Sequence, residues 1–179
     1  MLADFRQNLH GEMRRNLTLI EGDANYLPLE NGLVDFVYSF TSLYHVPEVQ
    51  FAIREAARLL RPGGIAALEL GNLYSINTLV CNYHYRHSGW AKPYHVPYSK
   101  LHGFLLDAGF EVIRQHSFQL LNCYGVPGRM IYLFPLTTSL WKPLLAKKVY
   151  GKILDEWLSS LWFTRYFAFR HMFICRRRA

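Results

Sequence analysis

Residues 33–70 read LVDFVYSFTSLYHVPEVQFAIREAARLLRPGGIAALEL, and this stretch decides the fold class. Residues 33–40 form an apolar run with the length of a buried strand, and residues 48–60 carry apolar side chains at helical spacing. Arg61-Pro62-Gly63-Gly64 ends the helix because proline cannot continue it and glycine tolerates the turn. Residues 65–70 form a second apolar run. Strand, helix and strand with short connections predict a parallel β-sheet whose strands are covered on both faces.

Further elements are predicted on both sides of this unit. A buried strand at residues 17–21 ends at Gly22-Asp23, and a strand over residues 167–177 closes the chain. A helix is expected over residues 98–108 and a strand over residues 110–121. The remaining predictions are a helix over residues 1–9, an irregular aromatic stretch over 71–97, a loop over 125–137 and an amphipathic helix over 138–162 that breaks near Tyr150-Gly151.

Length and composition indicate one globular domain, because 179 residues with 51% apolar and 18% charged residues can bury a core. The charge is uneven. Residues 1–80 hold six Lys or Arg against nine Asp or Glu, whereas residues 81–179 hold fourteen against four. This asymmetry indicates an anionic surface or substrate for the second half, and the alternative is a solvated basic face.

The cysteines argue against a disulfide framework or a zinc site, and no metal is expected. The chain has three cysteines, an odd number, at positions 81, 123 and 175, and none of them is in a CxxC spacing, which favours a reducing cytoplasm.

The first residues lack the apolar core of a signal peptide. No uninterrupted apolar run reaches the roughly 18 residues that a membrane span needs. We therefore expect a cytoplasmic protein.

Three segments in this order resemble the class I S-adenosylmethionine-dependent methyltransferase family in its type 11-like form. They are Glu21-Gly22-Asp23-Ala24 followed by Leu27-Pro28, Val34-Asp35-Phe36-Val37-Tyr38-Ser39 followed by Leu43-Tyr44-His45-Val46, and Glu55 through Leu60-Arg61-Pro62-Gly63-Gly64, supported by Ala108-Gly109-Phe110-Glu111-Val112. The resemblance covers about residues 1–122. It implies S-adenosylmethionine as cofactor and a doubly wound, Rossmann-like α/β sheet whose last strand is antiparallel. Ligands bind such sheets outside the carboxyl ends of the strands.

The resemblance also implies a cofactor site at the ends of two strands. Within Gly22-Asp23-Ala24, Asp23 matches the acid that accepts a hydrogen bond from the adenine amine, and the Ala24 amide meets the adenine ring. The alternative for Asp23 is a turn-capping aspartate. Ser39-Phe40-Thr41 matches the segment that lines the methionine end of the cofactor, where an aromatic ring suits the sulfonium charge. Ordinary strand-end packing is the alternative for these three residues.

The acceptor side is predicted from the loop after the same strand and from residues further along the chain. His45 is the candidate catalytic residue, since an imidazole can remove a proton from a hydroxyl group. The alternative is that His45 orients its loop through a hydrogen bond. Tyr44, Asn72 and Tyr74 are the candidate substrate-binding residues, because the resemblance puts them near the mouth of the site.

The glycine-rich loop that follows the first strand in this family is missing. It needs glycines so that the backbone can approach the cofactor, and no two of the twelve glycines here are separated by one residue. We therefore expect residues 1–179 to form a single, amino-terminally truncated domain without the first two strands. It would carry an aromatic insertion at 71–97 and a helical insertion at 125–166. The missing strands leave unpaired strand edges, which predicts poor stability or self-association.

Two functions remain open from the sequence. The first is S-adenosylmethionine-dependent methyl transfer to a small-molecule acceptor of apolar or lipid-like character. The second is a non-catalytic, methyltransferase-derived module that binds a partner or a membrane surface. The basic and aromatic residues of 138–179 suit peripheral membrane contact, and the alternative is a helix packed on the sheet with its cations in water. Nucleic acid is not expected as a partner, since no binding motif is found.

Overall fold

The computed structural model of the chain describes residues 16–88, 93–123, 131–132 and 147–179. The longer elements are β1 (Val34–Ser39), α1 (Val49–Leu59), β2 (Leu60–Gly71), α2 (Ile76–Ser88), α3 (Tyr98–Asp107), β3 (Phe110–Phe118), α4 (Leu154–Ser160) and β8 (Arg170–Arg177). The two-residue strands are β4 (Asn122–Cys123), β5 (Ile131–Tyr132), β6 (Lys148–Val149) and β7 (Lys152–Ile153), and short 3-10 helices span Leu43–His45 and Thr164–Phe167.

The four long strands form one sheet in the order β1-β2-β8-β3. β1 and β2 run parallel and are joined by α1, whereas β8 runs antiparallel to both β2 and β3. The last strand of the chain is therefore inserted between two strands that share one direction. This topology confirms the prediction of a Rossmann-like sheet whose last strand is antiparallel.

The main core lies between one face of this sheet and the helices α1 and α3. Ile53 of α1 and Leu101 of α3 are fully buried, and they belong to the same apolar cluster as Leu68 of β2 and Phe173 of β8. The buried positions of α1 recur at three- and four-residue spacing, as the sequence pattern predicts for a helix with one apolar face. Burial of each large side chain contributes roughly 1.5–3 kcal/mol, so this layer stabilises the sheet.

Gly64 explains how the chain turns from α1 into the sheet. The helix ends at Leu59, as predicted, and residues 61–64 form a bulge before regular pairing with β1 begins. A Cβ atom at Gly64 would lie 2.9 Å from the carbonyl oxygen of Arg61 and 3.1 Å from that of Asp35. Only glycine therefore lets this turn close against β1.

Two of the predicted elements take a different form. Residues 17–22 are neither strand nor helix and are mostly exposed, so the predicted buried strand over residues 17–21 is wrong. The stretch predicted to be irregular contains α2. Its Cys81 is buried against Phe169, so a tertiary contact stabilises a helix that has little apolar periodicity of its own.

The predicted helix over residues 138–162 is confirmed in part, since the break at Tyr150-Gly151 and a helix over Leu154–Ser160 are present, whereas the residues before the helix take another form. Residues 147–153 form the β6–β7 hairpin, whose turn places Tyr150 and Gly151 at φ angles of 49° and 80°. These angles are incompatible with a continuous helix, and α4 starts only at Leu154. The predicted helix over residues 1–9 and residues 138–146 lie outside the described residues.

The second face of the sheet is covered in part by α4, which packs on β3. The side chains of Phe36 and Tyr38 on β1, and of Phe40 directly after it, remain 55%, 60% and 48% exposed. Among the described residues β1 pairs only with β2, so its outer edge has no neighbouring strand. None of the described helices combines the length and the apolar content that crossing a bilayer requires.

Candidate active site

The carboxyl ends of three strands meet at one edge of the sheet, where the last strand begins. β1 ends at Ser39, β2 at Gly71 and β3 at Phe118, and β8 starts at Arg170. Ligands of open α/β sheets bind outside this edge. The side chains gathered here therefore form the candidate active site.

The loop after β1 is held in an unusual backbone conformation. Thr41 has a φ of 55°, which costs a β-branched residue roughly 1–2 kcal/mol. Its amide donates a hydrogen bond to Oε2 of Glu69 at 3.3 Å. The Ser42 hydroxyl donates to the Phe40 carbonyl at 3.1 Å and lies 3.0 Å from the Ser39 hydroxyl. These contacts fix the predicted Ser39-Phe40-Thr41 segment, and strained residues of this kind cluster at functional sites.

A buried ion pair connects the end of β2 to the start of β8. The Arg170 guanidinium donates to Oε1 of Glu69 at 2.6 Å, and the two side chains are 6% and 1% exposed. The same guanidinium lies 3.9 Å from the ring centroid of Tyr44 and 4.5 Å from that of Phe169, which are cation–π distances. The pair therefore ties the loop that carries Tyr44 to the sheet.

Glu69 and Arg170 are not among the residues predicted from the sequence. Glu69 is the one charged residue in the apolar run at 65–70, and Arg170 directly follows the apolar residues 166–169, and this is the signal by which they could have been found. Charges in such positions need a buried partner, so an acid and a base in two different buried strands indicate an ion pair.

His45 and His95 flank Tyr44 and differ in burial. His45 is exposed, with its ring centroid 4.4 Å from that of Tyr44. Partial burial and the charge of Arg170 lower the pKa of His45, which favours the neutral imidazole that can accept a proton. His95 is buried, and burial together with Arg170 lowers its pKa to about 3. The catalytic role of His45 and the binding role of Tyr44 stay predictions.

Asn72 is fully buried, and its amide group makes four hydrogen bonds to the backbone. Nδ2 donates to the carbonyls of Tyr166 and Ala168 at 2.8 and 2.9 Å. Oδ1 accepts from the amides of Tyr74 and Tyr98 at 3.2 and 3.1 Å. These four bonds use both N–H donors and both oxygen lone pairs of the side-chain amide. The Asn72 side chain therefore holds the backbone at residues 74, 98, 166 and 168 in place.

Tyr74 lies just beyond β2 and is 65% exposed, whereas Asn72 is enclosed. The two predicted substrate-binding residues thus differ in what they can offer a ligand. Tyr74 presents an accessible phenol, and Asn72 has no unused hydrogen-bonding group. Both assignments stay predictions, and the geometry favours Tyr74.

Asp23 lies in an exposed turn that its own side chain stabilises. Oδ1 accepts a hydrogen bond from the Asn25 amide at 2.9 Å, and the Asp23 carbonyl accepts one from the Tyr26 amide at 2.9 Å. The turn-capping alternative is therefore present in the structure. Among the described residues, Oδ2 has no partner and is available to an adenine amine. Ala24 packs against the main core, which anchors the turn.

The chain after Asp23 is fastened to α1 by one arginine and one glutamate. Arg58 donates to the carbonyls of Leu27 and Leu29 at 3.1 and 2.8 Å, and Glu55 accepts from the Leu27 amide at 2.7 Å. The hydrogen bond from Arg58 holds the pKa of the Glu55 carboxyl below its ordinary value. The position of the Asp23 turn is thus set by α1.

An apolar pocket of about 380 Å³ lies at the same edge, between the sheet and α4. Its lining residues are Phe40, His116, Phe118, Gln119, Ile153, Asp155, Glu156 and Met172. Only Phe40 belongs to the predicted site residues. The others were missed because no motif contains them, and they meet only through the pairing of β3 with β8, which sets His116 opposite Met172.

Residues 1–68 match the family model of a methyltransferase domain. The 27-O-demethylrifamycin SV methyltransferase of Amycolatopsis mediterranei is 48% identical over 46 residues, which are 26% of this chain and 17% of that protein. The demethylmenaquinone methyltransferase of Shouchella clausii is 34% identical over 70 residues, which are 38% of this chain and 30% of that protein. The matched segments thus span less than a third of these relatives.

Solved structures match over nearly the whole chain. An S-adenosylmethionine-dependent methyltransferase from Mesorhizobium loti has a TM-score of 0.61 at 17% identity, covering 99% of this chain and 76% of that one. A second, from Thermotoga maritima, has a TM-score of 0.56 at 18% identity, covering 93% and 68%. The fold of the chain is therefore that of S-adenosylmethionine-dependent methyltransferases, and residues 1–68 match the methyltransferase-domain family. S-adenosylmethionine is the cofactor of this family, as the resemblance implies.

The residues present fit this cofactor in part. The available Oδ2 of Asp23, next to Ala24, suits the adenine amine and ring, and the strained Ser39-Phe40-Thr41 loop lies at the predicted methionine end. The described residues contain no glycine-rich turn that would let the backbone approach the rest of the molecule. No contact to the ribose is therefore assigned.

Proposed function

We propose that this methyltransferase-family chain takes part in S-adenosylmethionine-dependent methyl transfer to an apolar small molecule. The observation that carries the proposal is the apolar pocket at the carboxyl edge of the sheet, because Phe40 belongs both to this pocket and to the predicted cofactor segment. A pocket of about 380 Å³ falls in the usual range for small-molecule sites. The relatives named for demethylmenaquinone and 27-O-demethylrifamycin SV support an apolar acceptor.

Each predicted residue then has a separate task. Asp23 accepts a hydrogen bond from the adenine amine, and Ser39-Phe40-Thr41 lines the methionine end. Tyr44 and Tyr74 are the candidate contacts for the part of the acceptor that extends beyond the apolar pocket, which neither of them lines, and His45 is the candidate group that accepts the proton that the acceptor loses. When bound, the cofactor supplies an activated methyl group, so the protein contributes position and exclusion of water.

Calorimetric titration with S-adenosylmethionine tests the cofactor half of the proposal. We expect measurable binding, and we expect Asp23→Ala to weaken it by about tenfold or more, since a hydrogen bond to a charged group is lost. Asp23→Asn keeps an oxygen for the Asn25 amide and separates loss of the turn from loss of charge. Asp35→Ala is the control, because Asp35 is an exposed acid paired with Arg61. Folded wild-type protein that shows no binding heat contradicts the proposal.

A second candidate function is peripheral membrane contact through residues 138–179. In the described part of this segment, Trp162, Phe163 and Phe167 are 74%, 50% and 54% exposed. Arg165 lies among them, and aromatic rings beside cations suit the interface of an anionic bilayer. A solvated surface next to α4 is the alternative.

Co-sedimentation with vesicles of phosphatidylcholine, with and without phosphatidylglycerol, tests this candidate. We expect binding only to the anionic vesicles, weakened by salt, and reduced about threefold or more by Trp162→Ser. Tyr26→Ser is the matched control, because Tyr26 is 77% exposed but lies in the acidic half of the chain. Equal binding to both vesicle types, or none, removes membrane contact as a function.

A further inference from the structure

The loop after β1, residues 40–45, is held by side chains that reach it from two other strands. The Thr41 amide donates a hydrogen bond to Oε2 of Glu69 in β2 at 3.3 Å. The ring centroid of Tyr44 lies 3.9 Å from the guanidinium of Arg170 in β8. Glu69 and Arg170 are themselves joined by an ion pair at 2.6 Å. One buried pair therefore contacts the loop at two points.

β2 and β8 have a continuous ladder of their own besides this ion pair. The two strands are paired without interruption from Ile65 to Gly71, and Arg170 lies opposite Gly71 at the end of this ladder. Nε of Arg170 is also buried without a hydrogen-bond partner among the described residues. A buried ion pair with an unsatisfied N–H group often contributes less to stability than apolar side chains of similar size. The pair is therefore better explained by the loop that it holds than by the sheet.

The carboxylate of Glu69 suits the two donors that it serves. Thr41 has a φ of 55°, and a β-branched residue keeps this conformation only where its surroundings hold it. A carboxylate has two acceptor oxygens, and here Oε2 accepts from the Thr41 amide while Oε1 accepts from Arg170. Because the donors contact different oxygens, glutamine at this position could serve only one of them.

The loop links the predicted cofactor segment to the apolar pocket. Ser39-Phe40-Thr41 is predicted to line the methionine end of the cofactor, and Phe40 also lines the pocket together with Met172. Glu69 lies opposite Met172 in the sheet, so the ion pair is next to both. A loop that already has its binding conformation loses less freedom when a ligand binds, which raises affinity. A group that fixes this loop can therefore act on affinity without contacting the ligand.

We propose that the Glu69–Arg170 pair positions the loop after β1 for the methionine end of S-adenosylmethionine. The inference rests on the proposed function, to which it adds two positioning residues that the sequence motifs do not contain. The alternative is an ion pair that only stabilises the sheet. The two readings differ in whether cofactor affinity can be lost while stability is kept.

The test removes both charges together, in Glu69→Met/Arg170→Met. A single change would leave one buried charge unpaired, whereas apolar side chains of similar size at both positions should keep or raise the stability. We expect a urea midpoint at least equal to that of wild-type protein. Calorimetric titration should show about tenfold weaker binding of S-adenosylmethionine, because the loop is no longer held. Amide hydrogen exchange at Thr41, measured without cofactor, should be about tenfold faster, since its acceptor is gone.

Glu111→Met/Arg176→Met is the matched control. Arg176 also lies in β8, but it pairs with Glu111 at 3.7 Å near the opposite edge of the sheet, and both side chains are about half exposed. The control should keep the cofactor affinity and the slow exchange at Thr41. Glu69→Gln is a second variant that retains an uncharged partner for Arg170, and it should weaken cofactor binding about threefold.

Each outcome of these measurements decides for or against the pair. A folded double variant with wild-type cofactor affinity, or with unchanged exchange at Thr41, overturns the inference. If the double variant does not fold, Glu69→Gln decides by the same two readouts. Wild-type protein that binds no S-adenosylmethionine defeats the proposed function and the role of the pair with it. Cofactor binding that wild-type protein and the variants share defeats this inference alone.

Discussion

At the scale of single residues, Gly71 shows how closely the candidate site is packed. A Cβ atom at this position would lie 2.3 Å from Cδ2 of the buried His95 ring. We expect Gly71→Ala to lower the free energy of unfolding by about 2 kcal/mol, as overpacking does. Gly103→Ala is the control, since nothing lies within 4 Å of its Cβ in α3, and it should gain up to about 1 kcal/mol. Urea unfolding measures the free energy of unfolding of both variants. An unchanged value for Gly71→Ala would contradict the close packing of Gly71 against His95.

Two buried histidines make stability depend on pH. Burial lowers the pKa of His95 and His171 to about 3, with smaller effects from neighbouring charges. Between about pH 6.5 and about pH 3 the unfolded chain binds a proton at each site and the folded chain does not, so protonation favours unfolding. Stability should therefore be level above about pH 7 and fall by about 1.4 kcal/mol per pH unit for each histidine below about pH 6.5.

Urea unfolding at a series of pH values, repeated for His171→Gln, measures this dependence. The variant should lose about half of the acid slope, because one of the two titrating groups is gone. Gln115→Ala removes a side chain 3.4 Å from Nδ1 of His171 without removing the imidazole, so it should keep the slope. An identical slope in wild-type protein and His171→Gln would show that His171 is not the source.

At the scale of elements, the segment that carries Asp23 depends on α1 for its position. Arg58 holds the Leu27 and Leu29 carbonyls, and the segment has no regular secondary structure of its own. We expect Arg58→Ala to lower the urea midpoint and to speed amide hydrogen exchange at residues 24–32. Arg54→Ala, on the exposed side of the same helix, should change neither quantity. Unchanged exchange in Arg58→Ala would mean that other contacts hold the segment.

The elements also show where sequence patterns are reliable. α1 and the strands beside it were predictable because their burial follows from periodicity within each segment. Residues 17–21 have the composition of a strand, yet they form no regular secondary structure and are mostly exposed, because composition alone does not set the pairing with a neighbouring strand. α2 shows the reverse, since the burial of Cys81 against Phe169 stabilises a helix that the local pattern does not predict.

At the scale of the whole molecule, the outer edge of β1 has no neighbouring strand among the described residues. Unpaired strand edges with apolar side chains tend to pair with other chains. We expect the mass measured by light scattering to rise with protein concentration, and Tyr38→Lys to suppress that rise. Tyr150→Lys is the control, because Tyr150 is 91% exposed on the β6–β7 hairpin. A concentration-independent monomer would refute self-association through this edge.

The resemblance to methyltransferases and the carboxyl edge of the sheet were predictable from the sequence itself, because Gly22-Asp23-Ala24, residues 33–46 and residues 55–64 encode turns and buried strands locally. Only the tertiary structure decided which groups meet at that edge. Glu69 pairs with Arg170 across 101 residues of chain, and Gln119 joins Phe40 in one pocket through strand pairing. Such contacts depend on register and strand order, which side chains far apart in sequence set together, so no local pattern records them.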